Sequence, residues 1–459
     1  MDEPFSLKKK KVLLVGLGLH GGGASVLRYL LKKGAYVRVT DAKTRKELFS
    51  TLKQFIGVHG TFGKNDPKDV AWADIIVKNP GVPTDHALLR LARAKRKPIV
   101  SDVSLFQSTI AKKFDCVVTG TRGKTTTASL IGYMLRGRFS KVFVGGNNRV
   151  PVLSAVDTAK KSKVILELSS FQIEDTNPRS HIAVFTTFFP DHLNRYKSLK
   201  FYFEAKAKLF FQQDKSDVAV LNYDDQHIRG LSKHIKSQIY FFSLHKLPSK
   251  VCGAYVYKKF FYIQDGGKIK RVARIEDVKL FGLHNFQNMC AAICVSYALN
   301  LPLSLIRRRL CLFQGVKYRL QEIRRLQGRI FFNDTTATSP DALLAAYRTL
   351  RERFPSSTLR ILVGGADKKL DYSIFKKMHA DHLVRIYPLK GTATSRLLRS
   401  IPFEHTSVYT SLQAAVACAW KESSPKDIIA LSPGAASFGM FMHEFDRGEQ
   451  FNVLVKKLR

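Results

Sequence analysis

Short apolar runs that end at glycine-rich or polar turns recur along the chain, and most precede a segment whose apolar residues return with helical spacing. Continuous apolar runs of this length are typical of strands buried on both faces of a parallel sheet, with the intervening helices covering those faces. The pattern therefore predicts an α/β fold. The predicted strands include residues 12–15, 35–40, 74–77, 142–147, 182–187, 217–222, 328–332, 359–363 and 427–431.

The length of the chain predicts more than one domain. At 459 residues it is too long for a single hydrophobic core, so we expect two or three domains. A second series of strands and helices begins near residue 109, and a further boundary falls near residue 314. Residues 238–275 read as short aromatic strands separated by turns, and we derive no chemistry from them.

The composition indicates a globular protein of a reducing compartment. Hydrophobic residues make up 45% of the chain, and no apolar run reaches the length of a membrane span. Acidic Asp2 and Glu3 and the glycine-rich residues 16–23 argue against a signal peptide. The six cysteines include no Cys-x-x-Cys pair, so we expect reduced thiols, no zinc and a cytoplasmic location.

The net charge is strongly positive, because 76 Lys and Arg stand against 36 Asp and Glu, giving +40. One interpretation is a nucleic-acid binder, and the other is a generally basic surface. The cations are spread along the chain, with short clusters at 8–11, 93–97 and 307–309, and no nucleic-acid module is recognisable. We therefore expect neither nucleic acid nor a membrane as a partner, although a positive field would speed the capture of anionic substrates.

Residues 117–127, Val-Val-Thr-Gly-Thr-Arg-Gly-Lys-Thr-Thr-Thr, follow an apolar run and precede a helical pattern. A strand, a glycine-containing turn and a helix N-terminus form a phosphate cradle, because backbone N–H groups and the helix dipole both face the anion. Lys124 would then meet the β- and γ-phosphates, and the Thr125 hydroxyl would hold Mg²⁺. The alternative is an ordinary turn, and Val118 stands where the general phosphate loop has its first glycine.

A second glycine-rich turn, residues 16–23, joins a predicted strand to a predicted helix. This arrangement places a pyrophosphate at a helix N-terminus. Asp41 ends the next strand, where dinucleotide-binding folds carry a ribose-binding acid. Alone, the motif indicates NAD, but a single Gly-x-Gly-x-x-Gly is a weak signal.

Three further side chains are candidates for metal chemistry. Glu167 ends an apolar strand after the phosphate loop, which suits a nucleotide-bound Mg²⁺, although such a glutamate can also face solvent. His192, taken alone, is equally a structural histidine. The Ala-Lys-Ala-Lys segment at 205–208 could simply be a solvated helix face.

Four motifs together resemble the Mur ligase family, the ATP-dependent amino-acid ligases of peptidoglycan synthesis. They are the short phosphate loop Thr-Gly-Thr-x-Gly-Lys-Thr, Glu-Leu-Ser-Ser-Phe-Gln at 167–172, Asp-His-x-x-Arg-Tyr at 191–196 and Ser-Pro-Gly-Ala-Ala-Ser-Phe at 432–438. The resemblance covers nearly the whole chain and implies three α/β domains. These are an N-terminal Rossmann-like UDP-substrate-binding domain (1–108), a central P-loop ATPase-like domain that binds ATP (109–314) and a C-terminal Rossmann-like domain that binds the amino acid (315–459).

The initial Gly-Leu-Gly and Glu-Leu-Ser-Ser-Phe-Gln are most similar to the family members that add D-glutamate to UDP-N-acetylmuramoyl-L-alanine. The resemblance implies ATP, two Mg²⁺ ions, an acyl-phosphate intermediate and a carbamylated lysine, for which Lys206 fits the spacing better than Lys208. It also implies a cytoplasmic enzyme, which we expect to be a monomer. The alternatives are another amino-acid ligase of the same family and a catalytically inactive nucleotide-binding regulator.

The resemblance also implies roles for individual residues. The catalytic group would be Lys124, Glu167, His192 and Lys206, and the metal ligands Thr125, Glu167, His192 and Lys206. The ATP-binding group would be Gly120, Thr121, Arg122, Gly123, Lys124, Thr125, Thr126, Asn285, Arg319 and Asp334. The substrate-binding group would be Gly18, Leu19, His20, Asp41, Asn79, Gly81, Asn147, Ser169, Gln172, Arg195, Thr338, Lys368, Ser437, Phe438 and Phe445.

Overall fold

The structure is a computed structural model. It describes residues 6–19, 21–147, 150–192, 195–368, 370–373, 378, 381–400 and 407–459. The chain forms two compact units. Unit 1 comprises Met1–Val278 and Leu283–Phe313, and unit 2 comprises Lys279–Gly282 and Gln314–Arg459.

The first sheet of unit 1 is parallel, and its strand order is β3-β2-β1-β4-β5. The direction of strand progression reverses between β1 and β4, which creates a crevice beyond the carboxyl ends of these two strands. The strands are β1 Lys11–Val15, β2 Tyr36–Asp41, β3 His59–Phe62, β4 Ile75–Lys78 and β5 Ile99–Ser101. The helices are α1 Gly22–Lys32, α2 Phe49–Leu52, α3 Pro67–Trp72, α4 Ala87–Ala94 and α5 Asp102–Ile110.

The second sheet of unit 1 has nine strands in the order β14-β13-β12-β11-β10-β9-β6-β8-β7, and only the pairings of β12 with β13 and of β13 with β14 are antiparallel. Strand β6, which lies between β9 and β8, is buried along its whole length. The strands are β6 Phe114–Thr119, β7 Val142–Gly146, β8 Lys163–Glu167, β9 Ser180–Phe185, β10 Val218–Asn222, β11 Gln238–Ser243, β12 Gly253–Tyr257, β13 Phe260–Asp265 and β14 Lys268–Arg274. The helices are α6 Lys124–Leu135, α7 Val156–Lys160, α8 Ser170–Glu174, α9 Leu199–Phe211, α10 Gln226–Leu231, α11 Leu283–Ala298 and α12 Leu303–Leu312.

Unit 2 contains the third sheet, in the order β15-β16-β19-β17-β18, with β15 antiparallel to β16 and the others parallel. Both faces of this sheet carry a cluster of buried apolar side chains. The strands are β15 Gln321–Leu326, β16 Arg329–Asn333, β17 Leu359–Val363, β18 Val384–Pro388 and β19 Ile428–Leu431. The helices are α13 Pro340–Arg353, α14 Thr394–Ser400, α15 Leu412–Lys421 and α16 Glu444–Lys457.

The predicted α/β class is confirmed, and the predicted strands are present to within one or two residues at each end. The six cysteines are free thiols, as their spacing predicted. Among the residues that the structure describes, no helix is both long and apolar enough to cross a membrane. The predicted division between residues 108 and 109 falls inside unit 1, and it stays a prediction.

Candidate active site

The phosphate loop lies between β6 and α6, the strand and helix that the sequence predicted on either side of it. Gly120 has a φ of 145°, and a Cβ there would lie 2.0 Å from the Thr186 hydroxyl, so only glycine fits this close approach. The Lys124 ammonium donates to the carbonyls of Gly120 at 2.9 Å and Thr121 at 3.0 Å. The loop therefore curls around its own lysine at the N-terminus of a twelve-residue helix.

Glu167 ends β8 and is buried beside the phosphate-loop strand, because β8 pairs directly with β6. One carboxylate oxygen, Oε1, accepts from the Asn147 amide at 3.2 Å. The other oxygen, Oε2, is buried and has no hydrogen-bond partner among the described residues. A buried carboxylate oxygen without a partner is costly, and a cation would satisfy it. Glu167 thus faces the interior of the site rather than solvent.

Ser169 and Gln172 form a capping box at the start of α8, immediately after Glu167. The Ser169 hydroxyl accepts from the Gln172 backbone N–H at 3.3 Å, and the Gln172 side chain accepts from the Ser169 N–H at 3.1 Å. These bonds fix the direction of the chain where it leaves β8. The predicted substrate contacts of both residues stay predictions.

Lys206 and Lys124 share one acceptor, because both ammonium groups donate to the Gly120 carbonyl, Lys206 at 3.0 Å. The Lys206 side chain is 1% exposed, and its Nζ lies 4.6 Å from the centre of the Tyr202 ring. Burial, and then the charge of Lys124, lower the pKa of Lys206 to about 6. This environment favours the neutral amine of Lys206, whereas Lys208 on the same helix is exposed.

His192 has a left-handed backbone conformation, with φ 54°, and its ring packs 4.9 Å from that of Phe171. Burial lowers the pKa of His192; Asp191 opposes this shift, and the cations of Lys206, Lys124 and Arg122 add to it. The imidazole is therefore neutral near pH 7, which is the form that binds metals.

The side chains around the phosphate loop fit a Mg²⁺ site in chemistry, though not as an all-carboxylate cluster. No group of three or more His, Cys, Asp or Glu side chains suited to a metal occurs among the described residues. The predicted set supplies only Glu167 and His192 from these residue types. It is complete only with the Thr125 hydroxyl and with a lysine that has been converted to an anion.

The glycine turn after β1 lies at the crevice of the first sheet. A Cβ on Gly23 would lie 2.0 Å from the Leu17 carbonyl, so this position needs glycine for the helix to approach the strand. Asp41 accepts from the backbone N–H groups of Leu17 at 2.8 Å and Gly18 at 2.9 Å through Oδ2. Asp41 therefore shapes the turn itself. His20, also predicted to bind substrate, lies outside the described residues.

One cavity of 480 Å³ joins the glycine turn to the phosphate loop within unit 1. It brings together predicted site residues that are far apart in sequence and belong to the first and second sheets. From the first sheet come Gly18, Leu19, Asn79 and Gly81, and from the second come Thr121, Lys124, Asn147, Ser169, Gln172, His192 and Lys206.

Arg195 holds the Asn79-Pro80-Gly81 turn, which follows β4, rather than pointing freely into the cavity. Its guanidinium donates to the carbonyls of Pro80, Gly81 and Val82, each at 3.3 Å, and stacks 4.2 Å from the centre of the Phe171 ring. Asn79 stiffens the same turn, because its side-chain oxygen accepts from the Gly81 N–H at 3.0 Å.

The sequence analysis did not predict two charged residues that line the cavity, Lys78 and Asp102, or the partner of Lys78, Asp175. Lys78 ends β4 and is buried in a contact with Asp175, a residue 97 positions later. Desolvation raises the pKa of Asp102 to about 6. Lys78 could have been predicted as a site residue, because it ends an apolar strand directly before Asn79-Pro80-Gly81. Neither carboxylate lies in a recognisable motif.

Asn285 lies near the start of α11, close to the phosphate-loop helix. Its Oδ1 accepts from the Asn288 amide at 3.4 Å, and Asn288 in turn accepts from the Thr127 hydroxyl at 3.1 Å. Asn285 is thus linked through Asn288 to α6, and its predicted ATP contact stays a prediction.

In unit 2, the structure brings together two of the residues predicted to bind the amino acid. The Lys368 ammonium donates to the Thr338 hydroxyl at 3.1 Å, and the Lys368 side chain is exposed. Ser437 is buried, Phe438 is exposed, and the Phe445 ring lies 5.4 Å from that of Tyr318.

Asp334 of unit 2 is engaged by the protein on both oxygens. It accepts from the Leu320 N–H at 2.9 Å and from the Ser432 hydroxyl at 2.8 Å, and burial raises its pKa to about 7. The neighbouring loop is braced by Arg447, which is fully buried and donates to Thr335 and Ala435. The positive charge of Arg319 offsets part of the rise that burial causes in the pKa of Asp334. The ATP roles predicted for Asp334 and Arg319 stay predictions.

Three family models match the chain in succession. The Mur ligase MurD-like N-terminal domain matches residues 10–101, the Mur ligase middle domain residues 118–296 and the Mur ligase glutamate ligase domain residues 318–434. They follow the order of the three sheets.

Proteins named UDP-N-acetylmuramoylalanine–D-glutamate ligase match over almost their full length. The protein from Roseiflexus sp. (strain RS-1) is 34% identical, covering 98% of this chain and 99% of that one. The protein from Borreliella burgdorferi (strain ZS7) is 35% identical over the same shares.

Two solved structures share the fold at low identity. MurF from Acinetobacter baumannii has a TM-score of 0.62 and 19% identity, covering 88% of each chain. UDP-N-acetylmuramate-alanine ligase from Thermotoga maritima has a TM-score of 0.57 and 18% identity, covering 97% of this chain and 99% of that one. At such identities the likeness concerns the fold alone.

Proposed function

The chain belongs to the Mur ligase family, and from this premise we propose that it adds D-glutamate to UDP-N-acetylmuramoyl-L-alanine, with ATP, in the synthesis of peptidoglycan precursors. One observation carries the proposal. The cavity of unit 1 runs from a glycine turn suited to a pyrophosphate to a phosphate loop suited to ATP. A nucleotide-linked substrate held at one end can therefore present its other end to the γ-phosphate.

The reaction has two steps. The substrate carboxylate attacks the γ-phosphate of ATP, so that an acyl phosphate forms and ADP leaves. The amine of D-glutamate then attacks the acyl carbon, an amide bond forms and phosphate leaves. The first step is needed because a carboxylate is anionic and has a poor leaving group, and phosphorylation corrects both faults.

Lys124 is the principal residue of the first step. Its ammonium is held by the carbonyls of Gly120 and Thr121 at the N-terminus of α6. There it would face the β- and γ-phosphates and stabilise charge that builds on the transferring group. Asn147, bonded to Glu167, lies at the cavity wall where it would orient the substrate.

Thr125, Glu167, His192 and Lys206 would hold two Mg²⁺ ions, which would offset the negative charge crowded around the phosphates. The free oxygen of Glu167 and the neutral imidazole of His192 support this assignment. Lys206 supports it only after its side chain has been converted from an amine to an anion. A neutral amine attacks CO₂, an N–C bond forms, a proton is lost and the carbamate anion that results can bind a cation. The buried Lys206 side chain favours the neutral amine that this step requires.

Unit 2 would supply the amino-acid site, with Thr338, Lys368, Ser437, Phe438 and Phe445, and the ATP contacts of Arg319 and Asp334. The implied domains are 1–108 for the UDP-linked substrate, 109–314 for ATP and 315–459 for D-glutamate. We also propose that the enzyme is a cytoplasmic monomer.

The proposal is tested by measuring ADP release with UDP-N-acetylmuramoyl-L-alanine and a panel of amino acids. ADP release that needs both the nucleotide-linked substrate and D-glutamate supports it. Release that needs a different amino acid would favour another ligase of the family. Binding of ATP without turnover in any mixture would favour an inactive regulator.

We expect D-glutamine to be a poor substrate. The Lys368 ammonium, held beside Thr338, would pair with the side-chain carboxylate of D-glutamate, whereas an amide offers it no charge. A hydrogen bond to a charged group contributes about 1.5–3 kcal/mol, so kcat/KM should be about 10- to 100-fold higher for D-glutamate. Lys368→Met should reduce this ratio, while Lys390→Met, on the same unit, should leave it unchanged. Equal kcat/KM values for the two amino acids would contradict the assignment.

A further inference from the structure

The turn that follows β4 is attached to the far end of α8 by side chains that the reaction scheme does not use. The turn, residues 78–84, belongs to the first sheet and lines the cavity through Lys78, Asn79, Pro80 and Gly81. Helix α8 belongs to the second sheet and ends at Glu174. Both lie in unit 1.

The first attachment is the ion pair between Lys78 and Asp175. The exposed fractions of the two side chains are 2% and 7%, so the pair is shielded from water and from salt. Burial lowers the pKa of Lys78 and raises that of Asp175, and each charge opposes the shift of the other. A buried pair of this kind adds little net stability, but it fixes geometry because either charge alone would be uncompensated.

The second attachment is centred on Glu174. Its Oε1 accepts from the Thr84 hydroxyl at 3.2 Å, and its Oε2 accepts from the Tyr196 hydroxyl at 3.2 Å. Arg195 lies 3.7 Å from the same carboxylate and donates to three carbonyls of the turn. The turn is therefore held at both of its ends, by Lys78 and by Thr84.

Helix α8 connects these contacts to Glu167, the candidate metal ligand. It is only five residues long, and its start is locked by the capping box of Ser169 and Gln172, two residues beyond Glu167. One short, capped segment thus has the candidate metal ligand Glu167 at one end and the contacts to the turn at residues 78–84 at the other.

We propose that Lys78, Glu174 and Asp175 are positioning residues. Together they form a clamp, which holds the turn at residues 78–84 (the substrate turn) at a fixed distance from the phosphate loop. This inference rests on the proposed function. A substrate whose nucleotide is bound in the crevice of the first sheet must bring its carboxylate to the γ-phosphate on the second sheet. The clamp sets that span before ATP or substrate arrives, and none of its three members needs to touch the reacting atoms.

The test is the double variant Lys78→Met with Asp175→Asn, which removes both charges together and so leaves no buried charge unpaired. The matched control is Lys32→Met with Asp157→Asn. That pair also joins the first sheet's helix α1 to α7 beside the second sheet, at 3.6 Å, but its side chains are 76% and 87% exposed. Thermal unfolding monitors folding, calorimetry gives the Kd of ADP, and steady-state assays give KM for each substrate.

We expect the Lys78/Asp175 variant to fold and to bind ADP as the wild type does. A misplacement of about 1 Å can cost on the order of 10²-fold in rate, so kcat/KM for UDP-N-acetylmuramoyl-L-alanine should fall by up to that factor. KM for ATP should not change, and neither should any constant of the control. A purely structural role would instead lower thermal stability and weaken ADP binding in parallel.

Glu174→Gln provides a second, milder variant, because it keeps the shape and one acceptor oxygen. It should raise KM for the UDP-linked substrate without changing the Kd of ADP. Unchanged constants for that substrate in both variants, beside an active wild type, would overturn the clamp alone. A wild type that never turns over the UDP-linked substrate would overturn the proposed function, and the clamp with it.

Discussion

Lys124→Ala is expected to lower turnover by about 10²–10³-fold or more, which is the usual loss when one preorganised electrostatic contact to the transition state is removed. The structure gives the physical reason. The ammonium is fixed by two loop carbonyls at a helix N-terminus, so no reorientation is needed when charge builds on the γ-phosphate. Turnover is measured as ADP release with both substrates saturating.

The variant should stay folded, because Lys124 is only partly buried at the first position of α6. Lys200→Ala is the matched control, since this lysine is exposed on α9 and forms a surface ion pair with Glu204. A folded Lys124→Ala protein with turnover near that of the control would rule out the phosphate-loop assignment.

The strands and the cradle could be predicted because their signals are local. Most buried strands are apolar runs; the phosphate loop and Glu167 stand where such a run ends, and His192 lies in the loop that follows β9. Parallel strands bring their carboxyl ends to one edge, so residues far apart in sequence meet there without any pairing signal of their own. Helix α8 was missed although Ser169-Ser170-Phe171-Gln172 has the spacing of a capping box.

The contacts between elements could not be predicted in the same way. Lys78 and Asp175 are 97 residues apart, and nothing in either local sequence indicates that they pair. Arg447 lies beside Glu444 and Asp446 in the first turn of α16, where a charged residue is usually exposed, yet it is fully buried and braces two loops. Such contacts depend on how whole elements pack, and the local sequence around either residue does not indicate that packing.

Lys206→Ala should lose most activity, and Lys206→Arg should not restore it, because a guanidinium keeps the positive charge that a metal would repel. Lys206 and Lys124 already share the Gly120 carbonyl, so two ammonium groups would lie side by side if both were charged. Conversion of Lys206 to a carbamate removes this repulsion and supplies an anionic oxygen to the cation. Both variants are assayed for ADP release and for ADP binding.

Lys208→Ala is the matched control, since it removes the same side chain two residues along the same helix, on another face. Lys208 is exposed and donates to the backbone carbonyl of Glu174 at 3.1 Å, so the loss of its side chain should have little effect on activity. Wild-type protein in ¹³C-bicarbonate should show a carbamate resonance that Lys208→Ala keeps and Lys206→Ala lacks. An inactive Lys208→Ala beside an active Lys206→Ala would move the carbamate to Lys208. Full activity in both would exclude a carbamate at either lysine, because the metal site would then be complete without one.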